Sequence, residues 1–93
     1  MDSILKSQPG VCYICDRITH TERHHCLMGS YRNTSEKLGL VVYLCPEHHR
    51  GTYGAHGKEG SEINRYLQKQ AQFAYEKEHS HEEWMEKVGR NYI

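Results

Sequence analysis

The sequence is short of the material for a large apolar core. Hydrophobic residues make up 37% of its 93 positions, with a single Phe and a single Trp. A chain of this length buries only ~60–65% of the surface it exposes when unfolded. A domain so built is helped by a staple, and a bound metal is one. No apolar run approaches the ~20 residues that a bilayer demands, so no membrane span is expected. Residues 1–10 hold no apolar h-region, so no signal peptide is expected either, and the chain reads as soluble and cytoplasmic. Charge of one sign is also missing: Lys and Arg total 12, Asp and Glu total 12. That argues against a broad basic surface but leaves room for a local patch. No internal repeat or low-complexity linker divides the chain, so 1–93 reads as one domain. It comprises a flexible arm (1–10), a core (11–56) and a helical part (61–93).

Cysteine and histidine are what is plentiful: four and eight residues. Five of the histidines fall between Glu22 and His56, just after a Cys-x-x-Cys pair. In an oxidising compartment four cysteines could make two disulfides. In a reducing one, Cys-x-x-Cys beside many histidines favours zinc.

Val11–Asp16 reads as a zinc knuckle, a tight turn presenting two thiolates. Polar residues 17–22 lead into a short strand near Glu22–Cys26. Residues 28–39 read as a polar loop, with at most one helical turn at 35–39 closed by Gly39. Leu40–Leu44 is β-branched and aromatic and predicts a buried strand, stopped by Pro46. Gly51, Gly54, Gly57 and Gly60 exclude one regular helix there and predict a broken turn and a loop reaching His56. Ser61 is expected to cap a helix running to Lys77, with Ile63, Leu67, Gln70, Ala71 and Ala74 at helical spacing and Tyr66 and Phe73 alongside. Ser80-His81-Glu82-Glu83 is a capping box. It predicts a second helix with Trp84, Met85 and Val88 on its apolar side and Gly89 at its end.

Two metal sites follow from the spacing. Cys12 and Cys15 form a C-x2-C pair; Cys45 and His48 form a C-x2-H pair, with 29 residues between the pairs. Structural zinc takes four such ligands, commonly as two pairs. His20 is the rival for the fourth position, and Cys26 reads as a small apolar residue on a strand. His24, His49 and His56 can supply three nitrogens and leave a position open, which marks a catalytic rather than a structural site. His25 would then be free to take a proton from water, for which an imidazole's ordinary pKa of ~6.5 is suited. Neighbours on a strand face opposite ways, so His24 and His25 can serve one site only where the strand end is irregular. Three neutral imidazoles suit Zn2+, Ni2+, Co2+ or Mn2+ better than Mg2+.

Cys-x2-Cys, a His-His pair on a strand, and an apolar strand ending Leu44-Cys45-Pro46-Glu47-His48-His49 resemble the HNH (ββα-metal, His-Me finger) endonuclease family. The motif covers roughly residues 11–56. The run Ser35–Leu40 and the ending Gly89–Ile93 are similar to small phage-encoded members, which in turn resemble the phage recombination-enhancement, RecA-dependent nucleases. The resemblance implies an α+β fold: a ββα-metal finger with a zinc knuckle pair and two C-terminal helices. It implies hydrolysis of DNA phosphodiester bonds in phage recombination, replication or packaging, inside a bacterial host cell. His25 would be the general base, His24 the first metal ligand, His49 the ligand on the helix, and His56 a further one. The middle Asn of the family name should stand five residues before Cys45, where this chain has Leu40; Asn33 is the candidate to replace it.

Arg17, Arg23, Arg32, Lys37, Arg50 and Lys58 flank the site, and Arg23, Arg32, Lys37 and Arg50 are the candidates for phosphate contact. A recombinase or packaging protein is a candidate partner. The competing reading, motivated by zero net charge and the missing Asn, is a non-catalytic zinc module that binds nucleic acid or a protein.

Overall fold

In the computed structural model, which describes residues 2–93, the run Leu40–Leu44 lies at the centre of the core. Leu40, Val41, Val42 and Leu44 are all fully buried. Strand β2 (Val41–Leu44) pairs antiparallel with β1 (Glu22–His25), His24 opposite Val42 and His25 opposite Val41. Among the described residues the sheet has only these two strands. The far edge of β2 is nevertheless satisfied. The Ser3 hydroxyl donates to the Val41 carbonyl (2.6 Å), and the Tyr43 amide donates to Ser7 Oγ (2.8 Å). The Tyr13 amide donates to the Tyr43 carbonyl (2.9 Å). Residues 2–9, expected as a flexible arm, thus lie along β2, with Ile4 and Leu5 packed on the core.

Between the strands the chain makes a 3-10 turn (Gly29–Tyr31) and a seven-residue helix, α1 (Arg32–Leu38). The expected polar loop is therefore mostly helical. Buried Ser35 explains why: its Oγ donates to the Leu27 carbonyl (2.9 Å) and accepts from the Leu27 amide (3.1 Å). A polar sequence gains a core anchor that periodicity does not register. Gly39 then ends α1 in the left-handed conformation (φ 73°). A Cβ there would also press on the Asp2 carbonyl and Ile4.

Pro46 opens the short helix α2 (Pro46–Arg50), where a proline's missing amide costs nothing. The glycine-rich segment folds back over α2, and α3 (Ser61–Glu76) follows. Its N-cap is Gly60, without a side-chain cap, so Ser61 is the first helical residue rather than the cap expected of it. Leu67, Ala71, Gln72 and Tyr75 form its buried face. Helix α4 (His81–Lys87) carries the expected capping box, Ser80 with Glu83. Fully buried Trp84 anchors it, donating from Nε1 to the Arg90 carbonyl (2.7 Å). Buried Gln72 ties down the tail: it donates to Asn91 Oδ1 (2.8 Å) and accepts from the Tyr92 amide (2.7 Å). His79 and His81 are exposed. The architecture is α+β, a two-stranded sheet with helices. Among the described residues no helix is long and apolar enough to cross a membrane.

Candidate functional site

Two clusters of candidate metal ligands meet at α2. In the first, a tight turn after Cys12 is closed by the Asp16 amide donating to the Cys12 carbonyl (2.8 Å), with Asp16 itself left-handed (φ 62°). Asp tolerates that conformation better than most residues. The turn brings Cys15 back beside Cys12. Cys45 ends β2, and His48 sits one turn into α2, on the face that i and i+3 share. The ligand atoms of Cys12, Cys15, Cys45 and His48 lie within 4.8 Å of one another. His48 Nδ1 is 3.2 Å from Cys45 Sγ and 3.7 Å from Cys12 Sγ. A zinc tetrahedron with Zn–S bonds of about 2.3 Å has edges of roughly 3.5–3.8 Å, so the four residues can hold zinc after small adjustment.

Burial pushes the Cys12 thiol up, but backbone hydrogen bonds involving Cys45, Cys15 and Ile14 outweigh it and bring the thiol to about 6. A thiolate there is ready for a cation. Cys26 belongs to neither cluster. Burial raises its thiol to about 12, and it is a small core residue, as expected. His20, the rival ligand, is exposed, 3.9 Å from Glu22 and outside the quartet.

The second cluster is His24, His49 and His56, their ligand atoms again within 4.8 Å of one another. The ring centroids are 5.3 Å apart for His24–His49, 5.1 Å for His24–His56 and 4.7 Å for His49–His56. His24 points inward from β1. Consecutive helical residues are turned by about 100°, so His49 faces His24 while His48 faces the cysteines. His56 arrives by the glycine loop: the Ala55 amide donates to the His48 carbonyl (2.8 Å) and the His56 amide to the His49 carbonyl (2.7 Å). A Cβ on Gly57 would collide with the Gly51 carbonyl, so the fold-back requires a bare backbone there.

The electrostatics suit a cation. Both ring nitrogens of His24 and Nε2 of His49 are buried without a hydrogen-bond partner. Buried polar atoms are seldom left so, because an orphaned donor or acceptor costs about 1–3 kcal/mol. His24 is lowered to about 3, first by burial and then by His49, His56 and His25 nearby. His56 is lowered as well, by burial and then by His49 and Arg32. Two of the three rings therefore prefer the neutral, ligating form. His49 Nδ1 lies 2.7 Å from Glu22 Oε1, which Arg50 Nε also reaches (2.8 Å). A carboxylate behind a histidine fixes its tautomer and leaves Nε2 to bind metal.

His25 is the last residue of β1, and it lines the same cleft of about 300 Å³ as His24, His49, His56, Arg23 and Arg32. Both neighbours thus line one cleft, although His25 keeps its register opposite Val41. His25 Nε2 is 2.8 Å from Glu36 Oε2. Glu36 also accepts from Arg23 (2.7 Å), whose other amino group donates to the Tyr43 hydroxyl (2.6 Å).

The four candidate phosphate contacts fare differently. Arg23 and Arg32 line the cleft. Arg50 is committed to Glu22, and Lys37 lines a groove elsewhere. Asn33 lines a neighbouring pocket with His25 and Glu36, and Leu40 is core. Glu22 and Glu36 escaped the sequence reading. Glu22 had a signal, standing two residues before His24 on the same strand face. Glu36 had none, because its position depends on α1. No family model, curated protein or solved structure matches the chain.

Proposed function

We propose that this protein is a metal-dependent endonuclease of the HNH, ββα-metal kind, hydrolysing DNA phosphodiester bonds. The observation that carries the reading is the orphaned, buried nitrogens of His24 and His49 converging with His56 beside a carboxylate-held His25. In this reading β1, β2 and α2 are the finger, braced by zinc on Cys12, Cys15, Cys45 and His48. His24, His49 and His56 hold a divalent ion, of Zn2+, Mn2+, Ni2+, Co2+ or Mg2+ type. That ion supplies positive charge to the phosphate and the leaving oxygen. His25 donates from Nε2 to Glu36, which leaves Nδ1 to accept a proton from the attacking water. Arg32 and Arg23 meet phosphate oxygens beside it. A phage setting, and action with a recombinase or packaging protein, rest on the sequence resemblance alone.

Plasmid nicking with each divalent metal tests the proposal. The protein should cut, and His25→Ala should lose about 10²–10⁴-fold in rate; equal cutting by the variant would end the assignment. The competing reading, a zinc module that binds without cutting, is favoured by the commitment of Arg23 and Arg50 to carboxylates and by Leu40 at the Asn position. It requires one tightly held zinc per chain and no second site. If cutting appears only on recombinase filaments, the partner-dependent form of the nuclease reading holds.

A further inference from the structure

Away from the histidine cleft, α3 presents an outer face that the proposed chemistry does not use. Tyr66 and Phe73 are 49% and 47% exposed there. Seven residues separate them, two turns and about 10.5 Å along the axis, so both rings lie on one stripe. Arg65, Lys69 and Lys77 are exposed on the same side of the helix. Of the acids on α3, Glu62 stands in the first turn, and Glu76 is already engaged by Gln72 and His81.

Beside this face, between the N-terminal arm, the end of α1 and the α3–α4 corner, runs a groove of about 560 Å³. Its apolar lining includes Ile4, Leu5, Tyr13, Leu38 and Tyr75. Lys6, Lys37, Lys77 and Lys87 also line it, and Lys77 is common to groove and helix face. Two acids share the groove; Glu83 is spent on the capping box and His79, and Glu78 remains. Lys6 sits in the left-handed region (φ 61°), which few non-glycine residues adopt. Four lysines around one groove, in a chain of zero net charge, make a local basic patch.

We infer that this α3 face and groove form a track for single-stranded nucleic acid, separate from the histidine cleft. Exposed aromatics interleaved with basic side chains meet the two demands of a single strand: stacking of unpaired bases and neutralisation of the backbone. A duplex keeps its bases stacked inside and cannot use the two rings. The inference stands whether or not the histidine cleft cuts, since it concerns binding and shares no residue with that cleft.

The test is fluorescence anisotropy of a labelled 15-nucleotide oligo-dT, measured on the full-length, zinc-loaded His25→Ala chain without added divalent metal. The parent should bind, more tightly than it binds a duplex of equal length, and more weakly as salt rises. Adding Tyr66→Ala and Phe73→Ala together should raise Kd about tenfold or more. Lys69→Ala should raise it less and reduce the salt slope by about 1. Lys69→Glu covers the case in which the double variant melts early. Absence of oligonucleotide binding would overturn the inference. So would binding that both sets of variants leave unchanged, or a concentration-dependent dimer that the aromatic variants dissolve while oligonucleotide binding stays. Failure of the unmutated chain to cut plasmid, with these binding results intact, would count against the nuclease proposal alone.

Discussion

His25 Nε2 and Glu36 Oε2 are 2.8 Å apart, joining the end of β1 to the middle of α1. The carboxyl is held below its ordinary range, first by Arg23 and then by His25, so it is a carboxylate that can only accept. That fixes the proton on Nε2 and the lone pair on Nδ1. Glu36→Ala should therefore lower the rate of cleavage by about 10–100-fold, less than loss of the imidazole itself. Metal content should not change. Single-turnover kinetics, with metal counted by mass spectrometry, checks both; a variant that loses its metal as well as its rate would show that Glu36 holds the site together rather than the base.

Glu22 stands behind the second cluster in a different way. Its carboxyl is lowered by His49 first and Arg50 next, and it orients the ring whose Nε2 is orphaned. Such carboxylates behind a ligand typically contribute 10–100-fold in metal affinity. Glu22→Gln should weaken binding at His24, His49 and His56 by about that factor and leave the cysteine cluster untouched. Calorimetric titration of divalent metal into zinc-loaded protein measures the first effect, and retained zinc the second.

Adjacent His48 and His49 make α2 common to both clusters. Cys15→Ser removes one donor from the quartet, so zinc should be lost and the short helix should lose the anchor that aims His49. A five-residue helix has no stability of its own. Zinc stoichiometry should fall from one per chain, and affinity at the three histidines should fall with it. Cys26→Ala, at a site raised to about 12 by burial, should keep full zinc while losing about 1 kcal/mol from the cavity left behind.

How far the sequence disclosed these things depends on what holds each element. The buried strand and α4 were readable because β-branched runs and capping boxes are local signals. The quartet was readable because zinc ligand spacing is local within each pair. The turn closed by Gly39 was readable, but the start of α1 at Arg32 was not, because a polar stretch anchored by Ser35 on the Leu27 backbone looks, as a sequence, like loop. Glu36 was lost with it, and Lys37, on the same helix, lines the α3 groove instead of the cleft. The place of the arm was hidden for a similar reason: Ser3 and Ser7 complete the edge of β2, a role visible only once the strand is in place.

Acid should loosen the C-terminal corner. The Glu76 carboxyl is lowered by hydrogen bonding to Gln72 and then His81. Glu83 is lowered by the Ser80 backbone and then His79. A group whose folded pKa is depressed binds fewer protons folded than unfolded. Its stabilisation is present above the ordinary carboxylate range, near 4.5, and is lost as pH falls through the lower folded value. Trp84 reports on this corner. Its fluorescence during a titration from pH 6 downward should change below about 4.5, and Glu76→Gln should flatten part of that change.

Ser35→Ala should be the most damaging small change in α1. The hydroxyl serves the Leu27 amide and carbonyl at once, and both would be left without it in a site closed to water. Orphaning buried backbone groups costs about 1–3 kcal/mol, a large share of what a domain this size has. Because α1 carries Arg32 and Glu36, the damage should reach the cleft, with cleavage falling along with the melting temperature while zinc at the quartet persists. A variant that melts early yet cuts at the full rate at low temperature would show that α1 stabilises the fold without positioning the base.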